Sequence, residues 1–399
     1  MRSVFWLSAL MVAYVYAGYP VLLACWARWR PLPAPRPAAP SDDLPTVSIV
    51  IAARNEAARL AARIENLLAL DYPADRRQII VISDGSSDDT LRVLAAFGSA
   101  VETIAAPPRG KASSLNAGVA RATGTILVFA DARQMFAPDA VRELVAPFTD
   151  PAIGGVTGEL LLDCEASDVA GRRAGAERRL WIDRRTREDR GPGRRLDVDR
   201  RGRIVSTVAD GVGLYWAYEK QLRRWESCVG STLGATGAIY ALRRTLYRPL
   251  PDNAILDDVL TPIRAVLAGY RVVFSGRAFA FDRAAIDADA EQRRKVRTLA
   301  GNVQILGQEP RLLIPVLNPV WLQYVSHKLG RLLVPYALLS LFAASIALSE
   351  QAAIYTLALI GQCALYVLGG YGAWLEHRAV RRAQPLATPA GAAERIVNA

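Results

Sequence analysis

The chain has 399 residues, 52% hydrophobic and 22% charged, with a formal net charge of +11. That length and apolar share allow a large buried core, and the basic balance suits a partner with phosphates or an anionic membrane surface. No helix-turn-helix, zinc-finger or RRM pattern accompanies the charge, so nucleic acid is not expected as a partner. With His327 and His377 the only histidines, histidine acid–base chemistry and a His-rich metal site are also excluded, and the work must fall on carboxylates, Lys, Arg and backbone. Cys25, Cys164, Cys228 and Cys363 show no C-x-x-C spacing and read as free thiols in a reducing compartment.

In chain order, residues 4–26 form an uncharged apolar run long enough to span a bilayer as a helix. Arg28, Arg30 and Arg36 follow it and only Arg2 precedes it, so the positive-inside rule predicts an outer N-terminus and a cytoplasmic continuation. Residues 28–45 read as a Pro-rich linker. The β-branched run at 46–53 predicts a buried parallel strand, with a helix over 56–70, a strand over 78–83, helices over 88–97 and 112–122, and a strand over 125–130. That alternation predicts an α/β fold with a mainly parallel sheet and right-handed crossovers. Ligands of such sheets sit outside the carboxyl ends of the strands. Arg54, Asn55 and Glu56, then Asp84 and Gly85, then Asp131 stand there. Neither G-x-G-x-x-G nor a P-loop follows the first strand.

Residues 165–209 are rich in Arg, Asp and Glu and read as a charged insertion within a domain over 46–309. Residues 310–330 mix Pro, Trp, Tyr, His and Lys with aliphatics, which predicts interfacial helices. Apolar runs at 332–348 and 352–375, separated by Ser349, Glu350 and Gln351, predict a transmembrane hairpin within 331–375. A basic tail over 376–399 is expected to be disordered. The N-terminal span is assigned to 1–27. The resulting expectation is a multi-pass protein of the cell inner (plasma) membrane with its soluble domain in the cytoplasm.

Six strings, SIVIAARNEA (48–57), VISDGSSDDT (81–90), GKASSLNAG (110–118), FADARQ (129–134), TGAIYALRR (236–244) and ILDDVLTPIRAVLAGYRV (255–272), resemble in type and order the family 2 glycosyltransferases with the GT-A fold. The membrane-bound bacterial branch related to cellulose and hyaluronan synthases is the most similar. The resemblance covers about residues 46–330. It implies a GT-A nucleotide-sugar-binding domain with one N-terminal and two C-terminal transmembrane helices. It further implies an inverting sugar transfer from a nucleotide-sugar donor, a UDP-sugar being expected, to a glycan or lipid-linked acceptor in cell-envelope polysaccharide synthesis.

By the same resemblance Asp84 contacts the nucleotide base, with Arg54 and Glu56 lining the base pocket, and Lys111 faces the donor diphosphate. Asp88 and Asp89 read as helix caps. Asp131 opens the position of the family's D-x-D pair, which holds Mg²⁺ or Mn²⁺; here the string is Asp131-Ala132-Arg133, so the second acid is missing. Thr236 and Gly237 fall on the acceptor side. Asp257 and Asp258 match the family's acidic pair, with Asp258 as general base; capping the helix they open is the plainer alternative. The processive Q-x-x-R-W string has two candidates. Gln221 to Trp225 matches it but precedes Asp258, and reads as coincidence on an amphipathic helix. Arg294 to Thr298 stands in the family position and keeps Arg297 as a diphosphate clamp beside Arg294, without the aromatic platform.

Two other functions remain open at this level: a polyprenyl-phosphate sugar synthase, and a non-catalytic membrane scaffold with a degenerate donor site. A transporter is a fourth class, for which three spans are few; a membrane partner or a homo-oligomer also stays open.

Overall fold

In the computed structural model, residues 1–32, 44–162, 207–282 and 288–383 are described. They form two compact units, one of residues 18–286 and 291–329, the other of 1–17, 287–290 and 330 onward.

The larger unit is built on an eight-stranded sheet of order β3-β2-β1-β4-β7-β6-β8-β5. The strands are β1 (Val47–Ala53), β2 (Arg77–Asp84), β3 (Glu102–Ala106), β4 (Ile126–Asp131), β5 (Met135–Phe136), β6 (Ile153–Leu162), β7 (Ile239–Arg243) and β8 (Arg271–Asp282). The strands β3, β2, β1 and β4 run parallel; the apolar runs of β1, β2 and β4 are buried on both faces, while β3 at the edge is only partly covered. From β4 outward the sheet is mixed: β7 pairs antiparallel with β4 and β6, and β8 pairs parallel with β6 and antiparallel with β5. The three strands read in the sequence, β1, β2 and β4, lie within two residues of their expected bounds. The antiparallel portion was not foreseen.

Alternation along each strand divides the core in two. Ile49 and Ile51 of β1 pack with Leu60, Ile64 and Leu67 of the helix Ala57–Leu68 on one face. Val50 packs on the other with Ala112 and Leu115 of the helix Lys111–Arg121 and with Leu260 and Ile263 of the helix Asp257–Leu267. Register fixes the functional edge. Ala52 of β1 is opposite Asp131, and Ala53 is opposite Ser83, the residue before Asp84. Arg243 secures the mixed half, donating to the carbonyls of Ile153 at 2.7 Å and Phe148 at 2.8 Å.

Among the described residues, three helices are long and apolar enough to cross a membrane: Arg2–Trp29, Trp321–Leu348 and Ala353–Leu375. The second begins well before the 332 expected from hydropathy. The stretch 310–330 therefore contains a short turn, Pro310–Leu313, and the first turns of a continuous helix rather than separate interfacial helices. In the smaller unit Phe5 meets Tyr355 edge-on at 4.7 Å, and Arg2 donates to Gln351 Oε1 at 3.1 Å. Leu357, Leu365, Val367 and Leu368 are exposed on the last helix, an arrangement suited to lipid rather than water. Most of the charged insertion at 165–209, the Pro-rich linker from residue 33 to 43, and the tail beyond 383 lie outside the described residues.

Candidate active site

The site begins at the carboxyl ends of β1, β2 and β4. After β1 the chain turns through Asn55, whose φ is +54°. Its side-chain oxygen accepts from the Ser87 amide at 2.8 Å, and its own amide donates to Ser86 Oγ at 3.1 Å. Asp88 takes the capping duty read in the sequence. It accepts from the amide of Ala57 at the start of the next helix at 3.1 Å and from the Thr90 amide at 3.0 Å. These bonds, the Thr90 hydroxyl first, hold its carboxyl below the usual range. Arg54 is exposed and Glu56 half-buried at this turn.

Asp84 is buried, and its Oδ1 accepts from the amides of Arg109 and Gly110, each at 3.0 Å. One oxygen of the residue assigned to the nucleotide base therefore also brackets the loop leading to Lys111. Gly85 next to it has φ +62°, and a Cβ there would lie 2.7 Å from Pro108, so the turn both needs the left-handed region and leaves no room for a side chain.

Lys111, the first residue of its helix, places Nζ 3.0 Å from Asp131 Oδ1 and 3.2 Å from Asp257 Oδ2. Burial disfavours its charge, but Asp257, Asp131 and Asp258 outweigh burial and raise its pKa. Asp257 and Asp258 open the helix Asp257–Leu267, yet no side chain caps that terminus. They serve the cluster instead, and the helix dipole favours carboxylates there. Burial first, then the charge of Asp257, pushes the Asp258 carboxyl up to about 6, with Lys111 opposing and Asp131 adding; Lys328 opposes further.

The mixed half of the sheet supplies the opposite wall. Pairing of Ala130 with Ile239 sets the Thr236–Gly237 turn beside the end of β4. A Cβ on Gly237 would stand 2.9 Å from Asp258 Oδ2, so any side chain there would push the Asp258 carboxylate aside. Thr236 is held from both sides: its amide donates to Thr157 Oγ1 at 2.9 Å, and its hydroxyl accepts from Arg223.

The structure thus brings together Lys111, Asp131, Asp257, Asp258, Thr236 and Gly237. Arg297 is exposed and donates to the Ile255 carbonyl at 3.1 Å, two residues before Asp257. Arg294 lies one turn earlier on the same helix, its carbonyl accepting from Thr298. Arg133 is exposed.

Sequence reading missed three supports. Asn116 accepts from Tyr247 Oη at 2.7 Å and the Leu250 amide at 2.8 Å and donates to the Leu250 carbonyl at 2.8 Å, tying the loop after β7 to the Lys111 helix. Its place in the string 110–118 was the available signal. Arg63, wholly buried, lies 4.1 Å over the Phe136 ring and donates to Asn66 at 2.7 Å. Burial draws its pKa down to about 9 against the pull of Asp131. Glu159, buried on β6 beside a register shift, is bonded by Lys220 at 3.2 Å and Arg224 at 3.4 Å.

As a cation site, Asp131 is half-buried and Lys111 engages its Oδ1. Among the described residues no three His, Cys, Asp or Glu side chains group to hold a metal. The site fits a hard cation only if donor phosphate oxygens complete the shell.

This architecture is shared with known enzymes. A mannosyltransferase from Pyrobaculum calidifontis, solved with GDP-Man and Mn²⁺, superposes with a TM-score of 0.64 over 93% of this chain and 94% of its own, at 21% identity. The fold is therefore shared with that enzyme. Residues 48–202 match the Glycosyl transferase family 2 model. A probable glycosyltransferase, YdaM, of Bacillus subtilis is 25% identical over 66% of this chain and 57% of its own length. The poly-beta-1,6-N-acetyl-D-glucosamine synthase of Staphylococcus aureus is 32% identical over 29% of each. The beta-monoglucosyldiacylglycerol synthase of Synechocystis is 30% identical over 34% of this chain and 30% of its own. The chain thus spans between about a third and just over half of the length of these curated relatives.

Proposed function

We propose that this protein is a membrane-anchored inverting glycosyltransferase that moves a sugar from a nucleotide-sugar donor to a glycan or lipid-linked acceptor. The observation that carries this reading is the cluster in which Lys111 bridges Asp131 and Asp257 beside Asp258, whose carboxyl is pushed up to about 6. A base near the working pH combines availability with proton affinity.

Asp258 takes the proton of the acceptor hydroxyl as that oxygen forms its bond to C1 of the sugar. The bond from C1 to the diphosphate oxygen breaks with its electron pair, and the nucleoside diphosphate leaves from the opposite face. Lys111 turns its ammonium toward the departing charge. Asp131 would hold Mg²⁺ or Mn²⁺ against the diphosphate, which when bound supplies further neutralisation of that charge. Asp84, Arg54 and Glu56 hold the base and ribose, and Thr236 and Gly237 present the acceptor to Asp258. The arginines after the first span and after the last support an inner-membrane location with the catalytic domain on the cytoplasmic side.

The test is nucleotide release by the full-length protein from a panel of UDP- and GDP-sugars, with Mg²⁺ or Mn²⁺ and with chelator. Turnover of one donor, lost in Asp258→Asn and reduced by chelator, is expected. Failure to bind any donor sinks the reading in favour of a scaffold.

A further inference from the structure

The string Gln221 to Trp225, out of family order in the sequence, lies in the structure at the acceptor wall. It sits on the helix Thr207–Val229. Lys220 and Arg224 are one turn apart on one face, and Arg223 lies beside that face. Lys220 and Arg224 converge on one buried carboxylate, Glu159. Arg223 does not join them: half-buried, its guanidinium is bonded to the neutral hydroxyl of Thr236. The acids that could neutralise it along its own helix are turned elsewhere. Glu219, four residues back, is 3.6 Å from His327 Nε2. Glu226, three residues ahead, is 2.7 Å from His327 Nδ1 and accepts from Tyr19 at 3.1 Å. Thr236 adjoins Gly237, which stands against Asp258. Among the described residues, a cation bonded to a neutral partner is therefore held one residue from the glycine that abuts the proposed base.

We infer that Arg223 is an acceptor-binding residue and that the acceptor carries a phosphate close to its attacking oxygen. This rests on the glycosyltransferase reading and narrows it to an anionic acceptor. A guanidinium recognises phosphate in a fixed two-pronged geometry that the Thr236 hydroxyl does not fill. The mounting of the helix favours a lipid-borne phosphate. Tyr218, Leu222, Trp225 and Val229 pack with Tyr19, Leu23 and Trp26 of the N-terminal apolar helix.

The test is equilibrium binding to the full-length protein in detergent micelles, without nucleotide-sugar, so that its outcome is separate from donor turnover. The probes are a polyprenyl phosphate against the matching polyprenol, and a hexose 1-phosphate against the free hexose. At least one phosphate is expected to bind about tenfold tighter than its uncharged partner. That preference is lost in Arg223→Gln and partly kept in Arg223→Lys, with unchanged thermal midpoints. A response to the polyprenyl phosphate alone assigns a lipid headgroup; a response to hexose 1-phosphate as well assigns a soluble phosphate. Equal binding of charged and uncharged forms, or a preference that survives Arg223→Gln, overturns the inference. If Arg223→Gln does not fold, the charged-against-uncharged comparison in the unsubstituted protein and in Arg223→Lys still decides.

Discussion

The two walls of the site are made in different ways. The proposed donor wall comes from consecutive strand–helix units: Asp84 and Asp131 end β2 and β4, and Lys111 opens the helix that follows β3. The proposed acceptor wall is assembled from segments far apart in the chain. Thr157 on β6, Arg223 on a long helix, Thr236 before β7 and Asp258 at a helix start meet only through the mixed pairing of β4, β7 and β6. Local sequence therefore suffices to specify the first wall, whereas the second depends on the whole fold.

The sharpest way to break this contrast is at Asp258, the proposed base. Asp258→Asn is expected to lower kcat by about 10²–10⁴-fold with donor affinity kept, read by single-turnover sugar transfer. A loss of donor binding instead would move Asp258 to the other wall. Lys111 joins the walls, and Lys111→Met should reduce kcat/KM by about 10²–10³-fold, measured with the donor that the panel identifies.

The pH profile sharpens the same point. Since the Asp258 carboxyl titrates at about 6 and must be ionised to accept a proton, kcat/KM should fall about tenfold per unit below pH 6. Lys111 holds that pKa down, so its removal should move the acid limb to higher pH. An acid limb that stays in place in Lys111→Met would contradict the coupling. The smallest effect is expected at the strut between the walls. Asn116→Ala leaves the Leu250 amide and carbonyl without their partner and should cost about 1–3 kcal/mol, read from denaturant unfolding of the membrane-extracted protein.

The legibility of the sequence follows the same division. β1, β2 and β4 are buried on both faces, so their Val and Ile runs stand out, and the polar residue that ends each run marks the edge where ligands bind. The acidic pair Asp257–Asp258 was legible as a motif, whereas the ion pair of Asp257 with Lys111 and the lack of a side-chain capping bond at that helix start emerge only from the structure. Arg223 could not be placed from sequence, because its position in chain order argued against it and only the packing of a helix from elsewhere brings it to Thr236. Arg63 and Glu159 were hidden for a related reason: a lone charge gives no periodic signal, and its burial is set by neighbours more than fifty residues away. The continuous helix from Trp321 was obscured by Gln323, His327 and Lys328. Hydropathy counts them as interruptions, whereas the structure buries Gln323 and His327.

The bridge from Lys111 to Asp131 and Asp257 gives the site the character of an ion exchanger. Three carboxylates so close would repel one another and loosen the turns that carry them; an internal ammonium keeps them gathered before any ligand arrives. A diphosphate entering the site therefore does not simply add to a vacant cradle. It competes for a counter-ion already in use, and each carboxylate that loses the lysine must find another cation or accept a proton. Ground-state affinity for the donor is moderated by that exchange, while the ammonium is freed to follow charge as it builds on the leaving group, where its attraction lowers the barrier instead of deepening the bound state.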